Sequence, residues 1–471
     1  MGIARFTSSD SGVGNAITYN GWNTIPASPF SQEKDNMNYP VNNLDDAYNA
    51  CHPELPLEVG DSRYLDLTAV RSSQNISVLN KRIGWAQKDQ RFHKQLFSGH
   101  RGSGKSTELL QLKGELEGQN YVVVFLDVEK LLDLAEITYQ DVLLTIATGV
   151  VETMEQLHIN LDKELLNDLK TWFADKIITQ VYAKEEKATI AAKLEAIALI
   201  PFVKLMAELR GEVSTASGRR EEVRQTLEKE LRVFIAKLND LLIAARLKIK
   251  QNGKTDLVII VDGLEKMHYR VLPDNETSYS NLFIRHSEQL NSPESHIIYT
   301  VPIALAFNSN LGNEFSGGVF VVPMVKYQKS EGQASLKTLI NQRMVLSLFD
   351  NVSTQEKLIA ASGGSMRDLF RLIRFSIETA NGIITEANAK TAIQLLAKEY
   401  DRFAKNDYIH LLQEVADKQI LPTDSSATYE QILNLRLVHE YENGERWADV
   451  HPILYHISRL QALLPPTHEH I

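Results

Sequence analysis

Lys105, Ser106, Asp262 and Glu265 are the side chains around which this sequence can do chemistry. The first two close the run Gly99-His100-Arg101-Gly102-Ser103-Gly104-Lys105-Ser106-Thr107. Its order of glycine, four residues, glycine, lysine and serine is the P-loop pattern. The glycines permit a backbone path that side chains forbid, and successive N–H groups then line an anion-binding concavity. An apolar-periodic helix starts at the lysine and adds the unpaired donors and positive dipole end of its N-terminus. A triphosphate fits such a cradle. The backbone of residues 99–107 wraps it, the Lys105 ammonium reaches the terminal oxygens, and the Ser106 hydroxyl is a ligand for Mg²⁺.

Asp262 ends the run Leu257-Val-Ile-Ile-Val-Asp262. Five apolar residues predict a central strand that delivers a carboxylate beside the P-loop, where it holds Mg²⁺ directly or through water. This is the Walker B arrangement. Glu265 lies three residues on and has two readings, a general base that polarises the attacking water or an ordinary helix cap. Thr300 sits near the end of His296-Ile-Ile-Tyr-Thr-Val301. It either contacts the γ-phosphate or the attacking water, or is a buried strand threonine. Asp127 and Glu129 sit at the carboxyl end of another apolar run, 121–127, as indirect partners of the metal or, on the favoured reading, plain strand-end polar residues.

These side chains need a parallel sheet to bring them together. The runs ending at Leu96-Phe97, at Asp127, at Asp262 and at Val301, with a further run over 318–323, lack a polar face. They are strands buried on both sides, so the fold class is α/β with a P-loop parallel sheet. A helix is predicted over 77–87, ahead of the first strand. The core is assigned to 56–138 and 252–325, interrupted by a helical insertion over 139–251. Within the insertion, 223–250 reads as one long helix whose Leu227, Leu231, Phe234, Leu238, Leu241 and Ala245 form a heptad-like seam. A helix carrying Arg343 is predicted over 337–349, in a helical lid spanning 326–405. Residues 406–471 predict helices at 408–417 and 428–434, then strands at 437–441 and 446–450 around the hairpin signal Glu442-Asn-Gly-Glu445, and a last helix. Residues 1–55, rich in Ser, Asn, Gly, Pro and Asp, read as irregular.

Bulk properties exclude several classes. The 471 residues allow two or three domains, and 43% hydrophobic content is ordinary for a globular protein. The net charge of −10 argues against a globally basic nucleic-acid binder. Cys51 is the sole cysteine, so there is no internal disulfide and no cysteine zinc site, and a reducing cytoplasm is the expected compartment. Residues 1–5 lead into no apolar signal segment. The apolar stretch 188–209 is interrupted by Lys193, Glu195, Lys204 and Glu208, so no membrane crossing is expected.

Ser362-Gly-Gly-Ser-Met-Arg367 makes the pattern more specific. Together with the P-loop and Asp262-Gly-Leu-Glu265, it resembles the AAA+ ATPases of the branch that holds the origin-recognition and STAND signalling ATPases. The resemblance covers residues 60–460. It implies that Arg367 is the sensor-2 arginine of the lid and reaches the γ-phosphate, and that Arg343 is the arginine of the first lid helix. The linker residues Arg63 and Tyr64 are candidate base contacts, as such linkers are in many P-loop ATPases, or else the aromatic simply anchors the linker to the core. The resemblance also implies ATP and Mg²⁺ as ligands, a winged-helix-like C-terminal domain, and a slowly hydrolysing switch or assembly platform. Such a platform works as a homo-oligomer or with a separate effector, often in bacterial antiphage defence. The alternative is a DNA-binding initiator or loader. It is not favoured, because Arg436, Arg446 and Arg459 are scattered among Glu440, Glu442 and Glu445. Two departures stand out. About 150 residues separate the P-loop from the Asp262 strand, and no arginine lies between Thr300 and the run at Gly318 to serve as a ring-type finger; Arg270 and Arg285 are the substitutes.

Overall fold

Five apolar runs build one parallel sheet. Its strands are β1 (Lys94–Gly99), β2 (Val122–Asp127), β3 (Leu257–Asp262), β4 (His296–Val301) and β5 (Val319–Val322), in the order β2-β3-β4-β1-β5. The computed structural model describes residues 38–179, 199–214, 219–308, 311–420, 427–442 and 445–465. Along each strand, successive side chains enter opposite cores. Leu96, Val124, Ile259, Ile297 and Tyr299 face one, and Phe97, Val123, Val258, Ile260 and Ile298 face the other. That alternation is the strand period of two applied to sequences with no polar face.

Helices cover both faces. In chain order the longer ones are α1 (Leu44–Ala50), α2 (Ser77–Lys88), α3 (Lys105–Gly118), α4 (Tyr139–Gln156), α5 (Lys163–Phe173), α6 (Phe202–Ser214), α7 (Arg220–Lys229) and α8 (Leu231–Gln251). They continue with α9 (Ser330–Asn341), α10 (Val352–Ser362), α11 (Met366–Glu378), α12 (Glu386–Phe403), α13 (Ile409–Lys418) and α14 (Ala427–Asn434). Helices α2 and α3 close one core, and the insertion helices α4–α8 close the other. The chain ends with an antiparallel hairpin, β6 (Val438–Glu442) and β7 (Arg446–Val450), in the register Glu442 opposite Arg446. Residues 39–471 form one compact unit. No described helix is long and apolar enough to cross a membrane.

Several local expectations change. Part of the stretch expected to be irregular is helical, since Asn43 caps α1 by accepting Asp46 N at 2.9 Å. The single helix expected over 223–250 breaks at Glu230, whose backbone (φ −101°, ψ 18°) leaves the helical region. The seam survives the break, with Leu227, Phe234, Leu238, Leu241 and Ala245 all buried. The break aims α7 so that Arg224 meets Asp141 of α4, Nε to Oδ1 at 3.1 Å. Arg343 lies beyond the end of α9 rather than inside a helix. There its guanidinium caps the Leu339 carbonyl at 2.9 Å, bonds Arg63 O at 3.2 Å and lies over the Phe370 ring. The sequence expectations for 1–37, for 188–198 and for the hairpin turn at 443–444 fall outside the described residues.

Candidate nucleotide site

The P-loop leaves β1 at Gly99 and enters α3 at Lys105. Gly102 (φ +93°) and Gly104 (φ +92°) hold left-handed backbone there, which a side chain would strain. They also leave room for the lid. A Cβ on Gly102 would lie 2.8 Å from Arg367 Cβ, and one on Gly104 would lie 2.7 Å from Met366 Cε. The loop is braced from outside by Arg71, 2% exposed, which bonds the Ser103 carbonyl and pairs with Glu108 of α3 at 2.9 Å.

Three strand ends meet beneath this loop. Because β4 lies between β1 and β3, Thr300 stands between the P-loop and Asp262. Its hydroxyl accepts Leu264 N at 3.0 Å and so fixes the turn after β3, where Gly263 (φ +93°) bends the chain to present Glu265. Asp262 and Glu265 are both buried, as is Lys105. Lys105 Nζ donates to the Gly99 and His100 carbonyls at 2.8 and 3.0 Å and lies 3.2 Å from Glu265 Oε1.

The two carboxyls divide their protonation. Burial pushes Asp262 up to about 7, the negative Glu265 adds to that, and a bond from the Ser106 hydroxyl opposes it. Burial raises Glu265 as well, but the Lys105 and Lys266 ammoniums outweigh it and leave the group below its ordinary value. Lys105 itself is lowered by burial, against the pull of Glu265 and Asp262. Glu265 is therefore the carboxylate of the pair. Asp262 Oδ1, Glu265 Oε2 and Ser103 Oγ are buried without a hydrogen-bond partner. Buried polar groups are normally paired. An oxygen-lined site with an adjacent ammonium has the donor set that Mg²⁺ and phosphate oxygens require, so these residues fit a magnesium–triphosphate complex.

The remaining candidates are positioned as follows. Ser365 caps α11, and Met366 N donates to Gly102 O at 3.0 Å, so the start of α11 rests on the P-loop. Arg367 begins α11 beside Gly102, and its guanidinium pairs with Glu54. Thr107 Oγ1 accepts Leu57 N at 3.2 Å, and Arg101 is partly buried. Arg63 chelates Asp61 at 2.7 Å and stacks on Tyr39, while Tyr64 OH approaches Glu108 at 3.4 Å. Tyr64 thus lies at the start of α3, and both linker residues are engaged by protein partners. Asp127, in register with Asp262, is matched with Lys130, and Glu129 with Lys266, the lysine that also acts on Glu265. Arg285 and Arg270 pair with Asp274 and Glu136.

The sequence reading missed a second contact to the loop. His100 Nε2 accepts Glu440 N of β6 at 3.0 Å, and the rings of His100 and His439 lie 5.5 Å apart. His439 and Tyr441 both bond the Gly363 carbonyl, at 3.2 and 2.8 Å, and thereby tie the hairpin to the lid. Asp368, wholly buried in α11, accepts Tyr400 OH at 2.9 Å and lies 3.4 Å from His451 and 3.5 Å from Arg436. Burial raises Asp368, but Arg436 and His451 hold it well below the carboxylate range. No spacing rule links His100 to Glu440 across 340 positions, so local sequence carries no signal for this contact.

No protein-family model and no curated protein matches the chain. Among solved structures, Cdc6p from Pyrobaculum aerophilum aligns with 85% of this chain and 98% of its own, at 11% identity and a TM-score of 0.33. At that level of likeness, the functional reading rests on this chain's own residues.

Proposed function

We propose that this chain is an ATP-binding, slowly hydrolysing molecular switch or assembly platform of AAA+/STAND type. The observation that carries the reading is a convergence. The P-loop Lys105 and Ser106, the strand-end Asp262 and Glu265 meet in one buried cluster, and both the lid and the C-terminal hairpin bond the same loop. Bound MgATP supplies the phosphoanhydride that is cleaved. The 99–107 backbone and Lys105 bind its phosphates, Ser106 and Asp262 hold the metal, and the ionised Glu265 accepts the proton of the attacking water. Thr300 positions Glu265, Arg367 is the lid group for the γ-phosphate, and Arg63 and Tyr64 flank the base.

The winged-helix-like end acts in this scheme as a protein-contact module rather than a DNA reader. Its arginines are committed inside the chain, Arg436 to Asp368, Arg446 to Glu440 and Arg459 to Asp401. A phosphate-tracking face needs uncommitted cations. Action in the cytoplasm as a homo-oligomer or on a separate effector, in bacterial antiphage defence, extends the sequence resemblance to the biological role.

The switch is tested by light scattering and hydrogen exchange of the full chain in ATP and in ADP. ATP is expected to change the mass or to loosen amides from residue 360 onward, and Lys105→Ala to abolish the response. Identical mass and exchange in the two nucleotides would leave a static scaffold in its place.

A further inference from the structure

A cleft of about 330 Å³ runs along the outer side of β5, between that strand and the end of β6. The volume is at the small end for ligand sites. Among the described residues β5 ends the sheet, with β1 as its one paired neighbour. On the β1 side, Gly318 O accepts Leu96 N at 3.1 Å. Strand geometry alternates, so Val319 and Val321, both half-buried, turn their backbone N–H and C=O outward.

His100 and Glu440 line the same cleft, and each keeps a buried polar atom without a partner, Nδ1 and Oε2 respectively. Burial holds the His100 imidazole neutral, at about 3, and its Nε2 accepts the Glu440 amide, so the ring proton sits on Nδ1. The cleft therefore offers two buried polar groups, the His100 Nδ1–H donor and the Glu440 carboxyl, beside a row of backbone donors and acceptors. At its rim, Arg82 donates to the amide oxygens of Gln74 and Gln95, both at 3.3 Å, and meets no carboxylate among the described residues. Lys105, Asp262 and Glu265 do not line the cleft, and His100 is the one residue of the 99–107 loop that does.

We propose that the cleft is a strand-addition site that takes an extended peptide segment of a partner protein, paired backbone to backbone with β5 and carrying an acidic side chain onto Arg82. An extended peptide presents N–H and C=O groups in alternation, which matches both the strand edge and the His100–Glu440 pair. The guanidinium of Arg82 is a forked donor suited to a carboxylate, so it selects an acid at one position.

The probe is a fluorescein-labelled, end-capped heptapeptide of alternating threonine and valine with a central aspartate, titrated by anisotropy into the full chain. Saturable binding is expected, at least tenfold weaker when lysine replaces the aspartate or when alternate backbone amides are N-methylated. Arg82→Gln should erase the aspartate–lysine difference and keep the dependence on the backbone amides, with an unchanged unfolding midpoint as its control. Peptide binding by a parent protein that takes up no ATP would leave this site standing and remove the nucleotide reading alone. Absence of saturable binding up to millimolar peptide, or indifference to N-methylation, overturns the proposal. So does a parent dimer in sedimentation that the peptide does not dissociate, since a second copy would then own the edge.

Discussion

At the residue scale, the site works by giving neighbouring carboxyls different surroundings. The Lys105 and Lys266 ammoniums act on both, but they outweigh burial at Glu265, whereas burial and the like charge prevail at Asp262. The proposed division of labour follows, with Asp262 for the metal and Glu265 for the proton. Asp262→Ala should abolish Mg²⁺-dependent phosphate release. Glu265→Gln should retain ATP binding and slow release by roughly a hundredfold, the scale of losing a positioned base. A Glu265→Gln variant with parental turnover would move the base elsewhere. Thr300 illustrates a residue with two sequence readings. Its hydroxyl bonds Leu264 N and the Val261 carbonyl and also reaches the Glu265 carboxyl, so it shapes the turn that carries Glu265.

At the element scale, the helices of the 139–251 segment are held to one another, and to the loop that precedes them, by more than apolar packing. Arg224 of α7 and Asp141 of α4 form a pair with side chains 5% and 2% exposed, and Arg224 also bonds the Glu136 carbonyl at 2.7 Å. Removing one partner of such a pair strands the other in a low-dielectric interior. Arg224→Ala should therefore cost about 3–5 kcal/mol, read as a lower urea midpoint with unchanged ATP affinity. A loss under ~1 kcal/mol would mean that water reaches Asp141. The break at Glu230 belongs to the same account, because it lets one apolar seam serve two helix directions.

At the scale of the whole molecule, lid and hairpin converge on a loop that comes much earlier in the chain, and Glu440 sits in that junction. Burial pushes its carboxyl up to about 7, against the opposing Arg446. An unfolded glutamate titrates near ~4.3, so the folded state holds this proton more tightly. The group's contribution to stability is complete below that value and is lost as pH rises toward 7. Glu440→Gln should flatten the fall in stability between pH 5 and 7.5, measured as urea midpoints across that range. Asp262 has the same sign and remains in both proteins, so the difference between them isolates Glu440. Equal slopes would show that Glu440 is already ionised in the folded chain.

The sequence by itself determined the parts whose signal is local. Backbone freedom at Gly102 and Gly104, the lysine and serine that follow, and five apolar residues before Asp262 specify a P-loop and a strand-end carboxylate within a few positions of each. The unbroken apolar strands likewise determined a parallel sheet with two covered faces, because no other arrangement buries both sides of such runs. Only the tertiary structure decided which groups share a proton, a partner or a surface. Strand order set Thr300 between the P-loop and Asp262, the end of α9 turned Arg343 inward, and Glu54 took the guanidinium of Arg367. The bond between His100 and Glu440, and the edge of β5 beside it, depend on contacts across hundreds of residues. Propensity and periodicity act over a few turns of chain, whereas those pairings are fixed by how whole elements pack.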